Sequence, residues 1–319
     1  GFFACDRWKF AQATNAGRLT MTQDSSVPTG KGFANSLKLA CTTTDTSIGA
    51  DEAALIQQPI EGQNLQAFAK GTSSAKPFTL SFYVKGNASA TYTVELNDVD
   101  NNPRFNAQEF SVTTDWTKVT KTFVADTTGA FDDDNDASLN LNIWLHAGST
   151  YTGGTHTDNV WHTTTNQRIG DSQTSFYDST DRTFFITGVQ LEVGQNPTSF
   201  EHKSFAQDLH ECGRYYQNSF ETSAGRFPGV STSQDDSIIH TSWNDGNAPF
   251  GHFRECMRAN PTVVFRERGG TTTGKITTNG SQKSAVANDI SEKGVGYVGV
   301  TSGVNLVYNA YSYELKAEL

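Results

Sequence analysis

Cationic side chains are in short supply: 24 Lys and Arg stand against 34 Asp and Glu, giving a formal charge of −10 and a pI near 5.1. Nucleic-acid binding draws its affinity from clustered Lys and Arg, so no nucleic-acid partner is expected. Long apolar runs are missing as well. No stretch approaches the roughly 20 residues that cross a bilayer, and no membrane insertion is expected. The opening Gly1 to Phe10 lacks a basic region followed by an apolar run, so no leader peptide is read there. A chain that starts at Gly1 rather than Met fits a processed product or the end of a longer polypeptide. The four cysteines, Cys5, Cys41, Cys212 and Cys256, are scattered and form no CxxC pair, which is too sparse for a disulfide framework. They are expected to be mostly buried thiols, with a single Cys5 to Cys41 bridge as the alternative. There is no nucleophile elbow, HExxH, P-loop or Rossmann glycine fingerprint, and the chain is expected not to be an enzyme. A carboxylate pair for glycoside hydrolysis is set by the fold and not by sequence spacing, so a polysaccharide depolymerase stays open as a minor alternative.

Gly, Thr, Ser, Asn and Asp crowd between short apolar runs, hydrophobic residues make up only 35%, and the mean hydropathy is −0.50, as in a turn-dense all-β chain. At 319 residues the chain exceeds the size at which one core keeps growing, and two domains are expected. Phe78, Leu80, Phe82 and Val84 alternate with polar neighbours, as do Tyr92, Val94 and Leu96 after the Gly86-Asn87 turn. Together the two runs read as an antiparallel hairpin. In the stretch after Asp115, Trp116 and Lys118 take one side, with Val119, Lys121 and Phe123 on the other. In the clearest strand, Leu139, Leu141, Ile143 and Leu145 share one face and Asn140, Asn142, Trp144 and His146 the other. Phe185, Thr187, Val189, Leu191 and Val193 close the unit in period two.

Between these last two strands lies a long Thr-, Gly-, Ser- and Asp-rich stretch, 147–183, that carries Tyr151, Trp161, Phe176 and Tyr177. Loops of that length are usually functional or disordered, and the aromatics argue against disorder. Phe205, Leu209, Cys212 and Tyr216 recur at helical spacing, with Ser204 and Gln207 forming a capping box. That stripe packs within the chain, between the domains or at a threefold axis. The expected organisation is a jelly-roll β-sandwich over 1–203, a linking helix over 204–217 and a small β domain over 218–319.

Cys5, Asp6, Arg7, Trp8, Lys9 and Phe10 resemble the ADRW-type start of a module recurrent in tail fibre and tail-associated proteins of tailed bacteriophages and prophages. The run from Thr187 to Gly194, followed by Pro197 to Glu201, resembles that module's closing strand, and Glu211 to Tyr216 is similar to the CxRYY signature after it. Met257 to Thr262 and the terminal Ala317, Glu318 and Leu319 resemble the small domain often appended there. The resemblance spans nearly the whole chain, and its specificity lies in the ordered combination. It implies a carbohydrate-binding-module-like jelly roll and a homotrimeric, non-enzymatic virion surface protein assembled in the host cytoplasm. The implied partners are host-surface polysaccharide and other virion proteins. A structural head fibre or decoration protein is the alternative. The chain departs from the module's pattern in 147–183, and no binding residue is carried over.

Glycan binding on a β-sandwich needs aromatic rings against sugar C–H faces with amides or charges beside them. Asn140, Asn142, Trp144 and His146 supply that mixture, and Tyr151 and Trp161 stand ready to complete it. The competing reading covers Trp144 with a sheet edge or the long loop and makes Tyr151 and Trp161 pins that hold the loop down. Asp98, Asp100 and Asn102 have EF-hand-like spacing, but Pro103 stands where the loop needs Gly, so an EF-hand is rejected. A structural calcium of another geometry, there or at Asp132 to Asp136, competes with a solvated turn. His156, Asp158 and His162 are either transition-metal ligands or surface residues. No other cofactor is expected.

Overall fold

Runs that alternate apolar and polar side chains become strands, because a period of two sends every second residue into one layer. The computed structural model describes residues 2–5, 7–219, 238–243, 247–267, 273–278, 281–300 and 306–319. The chain divides into two units, Gly1–His202 and Lys203–Glu318. The first holds β1 (Phe2–Cys5), β2 (Trp8–Ala13), β3 (Arg18–Asp24), β4 (Ser36–Thr43), β5 (Ala53–Glu61), β6 (Phe78–Gly86), β7 (Ala90–Asp98), β8 (Arg104–Val112), β9 (Thr117–Phe123), β10 (Ala137–Ala147) and β11 (Thr183–Val193). One sheet runs β1-β2-β5-β10-β7-β8 and the other β3-β4-β11-β6-β9. Pairing is nested: β4 lies beside β11, β5 beside β10, β6 beside β9 and β7 beside β8, all antiparallel. That is the order of a jelly roll, with β1, β2 and β3 added at the edges.

The core between the sheets is the one the alternation announces. Phe78, Leu80, Phe82, Val84, Val94, Leu96, Leu139, Ile143 and Leu145 have no exposed surface. At about 25 cal/mol per Å² of apolar surface removed from water, this layer is the main term holding the unit together. Two expectations are corrected. β6 and β7 do not pair as a hairpin, because each lines the inner face of a different sheet and the turn after Gly86 carries the chain across. In β11 the buried side is Phe184 and Ile186, with Phe185 outward, until a register break between Thr187 and Gln190 shifts the phase. Gly188 sits in that break at φ +63, a conformation glycine adopts without strain.

The second unit starts with a helix, α1 (Phe205–Gly213), shorter than the spacing implied because Tyr216 already belongs to a strand. The Ser204 hydroxyl accepts the Gln207 backbone N–H and caps it. Of its expected apolar stripe, Phe205 is 79% exposed and Leu209 48%, while Cys212 is half-buried. Eight strands follow among the described residues: β12 (Tyr216–Asn218), β13 (Ile238–Trp243), β14 (Asn247–His252), β15 (Thr262–Glu267), β16 (Lys275–Thr278), β17 (Ser281–Ser291), β18 (Gly294–Val300) and β19 (Leu306–Lys316). They form a sheet of order β12-β19-β16-β17-β18-β14, with β13 and β15 also on β19, over a core that includes Met257, Phe265, Ile276, Val298 and Leu315. The chain is thus an all-β jelly-roll sandwich, a linking helix and a small β unit.

Cysteine use departs from the expectation in part. Cys41 is a buried free thiol, so it forms no bridge with Cys5, whose side chain lies outside the described residues, and Cys256 is exposed.

Candidate functional site on the outer face of the first sheet

β10 runs through the middle of the first sheet, between β5 and β7, so its outward residues meet those of both neighbours in rows. Gln57, Asn142 and Glu95 make one row; Leu55, Trp144 and Thr93 make the next. A third comprises Pro59, Asn140, Asn97, Phe105 and, through an edge bridge, His162.

The 147–183 stretch reaches all three rows: Arg168 and Gln173 meet the first two, and His162 bridges Phe105 at the edge of the third. The Arg168 guanidinium donates to both Glu95 carboxylate oxygens at 2.7 Å, and the Asn142 amide and Trp144 indole donate to the same group at 2.8 and 3.0 Å. The guanidinium also stacks 4.0 Å from the Phe105 ring centroid and 4.9 Å from that of Trp144. Burial by itself would raise the Glu95 pKa. The adjacent Arg168 charge and the hydrogen bonds from Arg168, Asn142 and Trp144 outweigh it and hold the carboxyl below its ordinary 4.5. His146 is gripped on both ring nitrogens, by Ser175 Oγ at 2.7 Å and Glu52 Oε2 at 2.9 Å. Gln173 donates to the Trp144 carbonyl and accepts from the Thr93 hydroxyl, both at 2.9 Å.

The expected stacking site is therefore corrected. Asn142, Trp144 and His146 are 1%, 2% and 0% exposed, so no sugar ring reaches the indole. Asn142 is paired with Gln57 and Glu95, the Trp144 indole N–H with Glu95 and its ring with Arg168 and Tyr151, and His146 with Ser175 and Glu52. Tyr151 and Trp161 are pins. The Tyr151 ring lies 5.0 Å from Trp144, while Trp161 donates to the Val124 carbonyl at 2.8 Å and packs against Phe78, away from Trp144.

The third row is different. Asn140 and Asn97 face each other across β10 and β7, both half-buried, and neither side chain has a hydrogen-bond partner among the described residues. The Asn97 Oδ1 is itself buried and unpaired, and so is the His162 Nε2. The Thr164 backbone N–H donates to His162 Nδ1 at 3.2 Å, which leaves the ring proton of the neutral imidazole on the unpaired Nε2. Burial, the largest influence, lowers the His162 pKa below 6.5 and favours that neutral form. One row thus brings together the half-buried Asn140 and Asn97 amides, a buried carbonyl acceptor and a buried imidazole donor. Such a set matches vicinal hydroxyls, each of which both donates and accepts. Unpaired buried polar atoms are uncommon and call for a partner. Periodicity pointed to Asn140 alone in this row. The outward phase of Thr93, Glu95 and Asn97 was readable, but the pairing of β7 with β10 and the reach of His162 and Arg168 were not.

At Asp98, Asp100 and Asn102, where a structural calcium competed with a solvated turn, Asp98 is paired with Lys70. Its ammonium, fully buried, pairs with Asp98, lies 3.2 Å from Asp126, and donates to the Thr128 and Gly129 carbonyls at 2.9 and 2.8 Å. The other Asp98 oxygen accepts the backbone N–H groups of Asp100 and Asn101. Asp100 accepts the Asp132 N–H, and Asn102 is an exposed left-handed turn residue. Within Asp132 to Asp136, Asp134 accepts the Asp136 N–H as a turn does. His156 is bonded to the Gln167 carbonyl and Asp158. No group of three or more His, Cys, Asp or Glu side chains among the described residues is arranged to hold a metal.

No protein-family model matches the chain, and no curated protein matches it. Solved structures similar to the chain include a CBM4 module, at 16% identity over 59% of this chain and 87% of that one with a TM-score of 0.33. A family 11 carbohydrate-binding module from Clostridium thermocellum is similar at 10% identity over 61% and 91%, TM-score 0.31. The enzymatically active domain of bacteriophage CBA120 tailspike protein 4 is similar at 15% identity over 59% of this chain but 19% of that one, TM-score 0.34.

Proposed function

We propose that this chain is a non-enzymatic virion surface protein of the tail fibre or spike type, which recognises a glycan on the host surface through the Asn140, Asn97 and His162 row. The observation that carries the reading is the half-buried Asn140 and Asn97 pair, in register and without a side-chain hydrogen-bond partner among the described residues, beside the buried, unpaired His162 Nε2. A rigid sheet presents them, so little ordering free energy opposes binding. The resemblance of the chain's ordered motifs to bacteriophage tail proteins supports the virion setting and a homotrimer. Three copies on a particle would turn weak single contacts into avidity. The buried carboxylates Glu95, Glu52 and Asp98 are tied to Arg168, His146 and Lys70, which favours binding over hydrolysis.

A structural head fibre or decoration protein is the second reading, favoured by the exposed Phe205 and Leu209 on α1, which suit an assembly contact. The test is binding of the purified chain to host cells and to their extracted polysaccharide, with released sugar assayed in the same tubes. Saturable binding without sugar release is expected. Release would make the chain a depolymerase, and absence of binding by the folded chain would leave the structural reading.

A further inference from the structure

The opposite face of the sandwich carries a second arrangement, independent of the first. On the outer side of the second sheet, Lys38 of β4, Phe185 of β11 and Lys85 of β6 stand directly opposite one another in one row. Trp116, just before β9, closes the row with its ring 6.2 Å from that of Phe185, edge to face. The Lys38 and Lys85 ammoniums lie 5.4 and 5.9 Å from the Phe185 ring centroid, within reach of a cation–π attraction. In the next row Tyr83 pairs with Lys118, which is exposed. All four residues of the first row are half-buried, so the rings are fixed by packing yet reach the surface.

Charge gives the row its chemistry. The chain as a whole is acidic at −10, yet this face gathers Lys38, Lys85 and Lys118 around aromatic rings. The acids on the same face are engaged: Asp24 pairs with Lys38 at 3.3 Å, and Glu192 accepts from the Thr198 backbone and hydroxyl. Lys85 has no hydrogen-bonded or ion-paired partner among the described residues. A flexible ammonium beside an aromatic face suits a sugar ring that carries a carboxylate: the C–H face lies on the ring and the anion meets the lysine. A continuous polyanion such as duplex DNA needs many phosphate contacts, more than this face provides.

We propose that the outer face of the second sheet is a separate binding surface for an acidic saccharide, with Phe185 and Trp116 as the platform and Lys85, supported by Lys38, as the carboxylate partner. Polygalacturonate and its fully methyl-esterified form make a matched pair of probes, with the same rings and with or without the charge. The intact chain is expected to bind polygalacturonate at low salt, to lose that binding as salt shortens the Debye length to about 3 Å at 1 M, and to bind the ester at least about tenfold more weakly. Lys85→Gln should lower polygalacturonate affinity about tenfold without moving the melting temperature, and Lys85→Arg should restore most of it. Asn97→Ala and Asn140→Ala should leave this binding unchanged, which keeps the outcome distinct from that of the first-sheet proposal. Equal binding of acid and ester, equal binding of duplex DNA, or full affinity in a folded Lys85→Gln protein would each overturn the assignment.

Discussion

The two outer faces of one sandwich are built from similar residue types and put to opposite use. On the first sheet, the strongest side chains for recognition, Trp144, Glu95 and His146, are consumed inside the protein by the 147–183 stretch. On the second, Phe185, Trp116 and Lys85 are only half-buried, and Lys85 makes no hydrogen bond or ion pair among the described residues. A polar-aromatic strand face is therefore no guide to a ligand site until its cover is known. What survives on the first sheet is the third row, where Asn140, Asn97 and His162 are only half-buried as residues.

The largest expected effect breaks the cover. Arg168→Ala leaves the Glu95 carboxylate buried without its cation, and denaturant unfolding should show a loss of about 3–5 kcal/mol. Outer-face variants such as Lys85→Gln should stay within about 0.5 kcal/mol of the parent. A smaller effect comes from pH. Because the folded-state pKa of Glu95 lies below its unfolded value of 4.5, its stabilising contribution is complete above that value and is lost as pH falls through the folded pKa. Thermal melts should thus decline on acidification below about pH 4.5, and Glu95→Gln should flatten that part of the profile. The smallest stability effect belongs to Asn97→Ala and Asn140→Ala. Each removes an amide without a protein partner, so unfolding should shift by no more than about 0.5 kcal/mol while glycan affinity falls.

Much of the fold was legible because burial follows period two: the inner faces of β6, β7 and β10 are those the alternation marks. Which strand pairs with which was not. β6 and β7 have the pattern of a hairpin, and only the nested pairing of the jelly roll sends them to different sheets. The phase of β11 was misread because a bulge at Gly188 changes it midway, and a bulge leaves no periodic signature beyond an isolated glycine. Of the candidate site, Asn140 was legible from its strand. Asn97 was hidden until β7 was known to lie beside β10, and His162 until the long stretch was seen to bridge Phe105. Lys70 could not be read at all as the partner of Asp98, since the two meet only through the fold.

The measurement that bears most directly on this account is a side-by-side titration of host-surface polysaccharide against the parent chain, the Asn97→Ala/Asn140→Ala double variant and Trp144→Phe, each confirmed folded. The double variant is expected to lose binding while Trp144→Phe keeps it, because the indole is 2% exposed beneath the 147–183 stretch. Retained affinity in the double variant together with lost affinity in a folded Trp144→Phe protein would contradict this expectation.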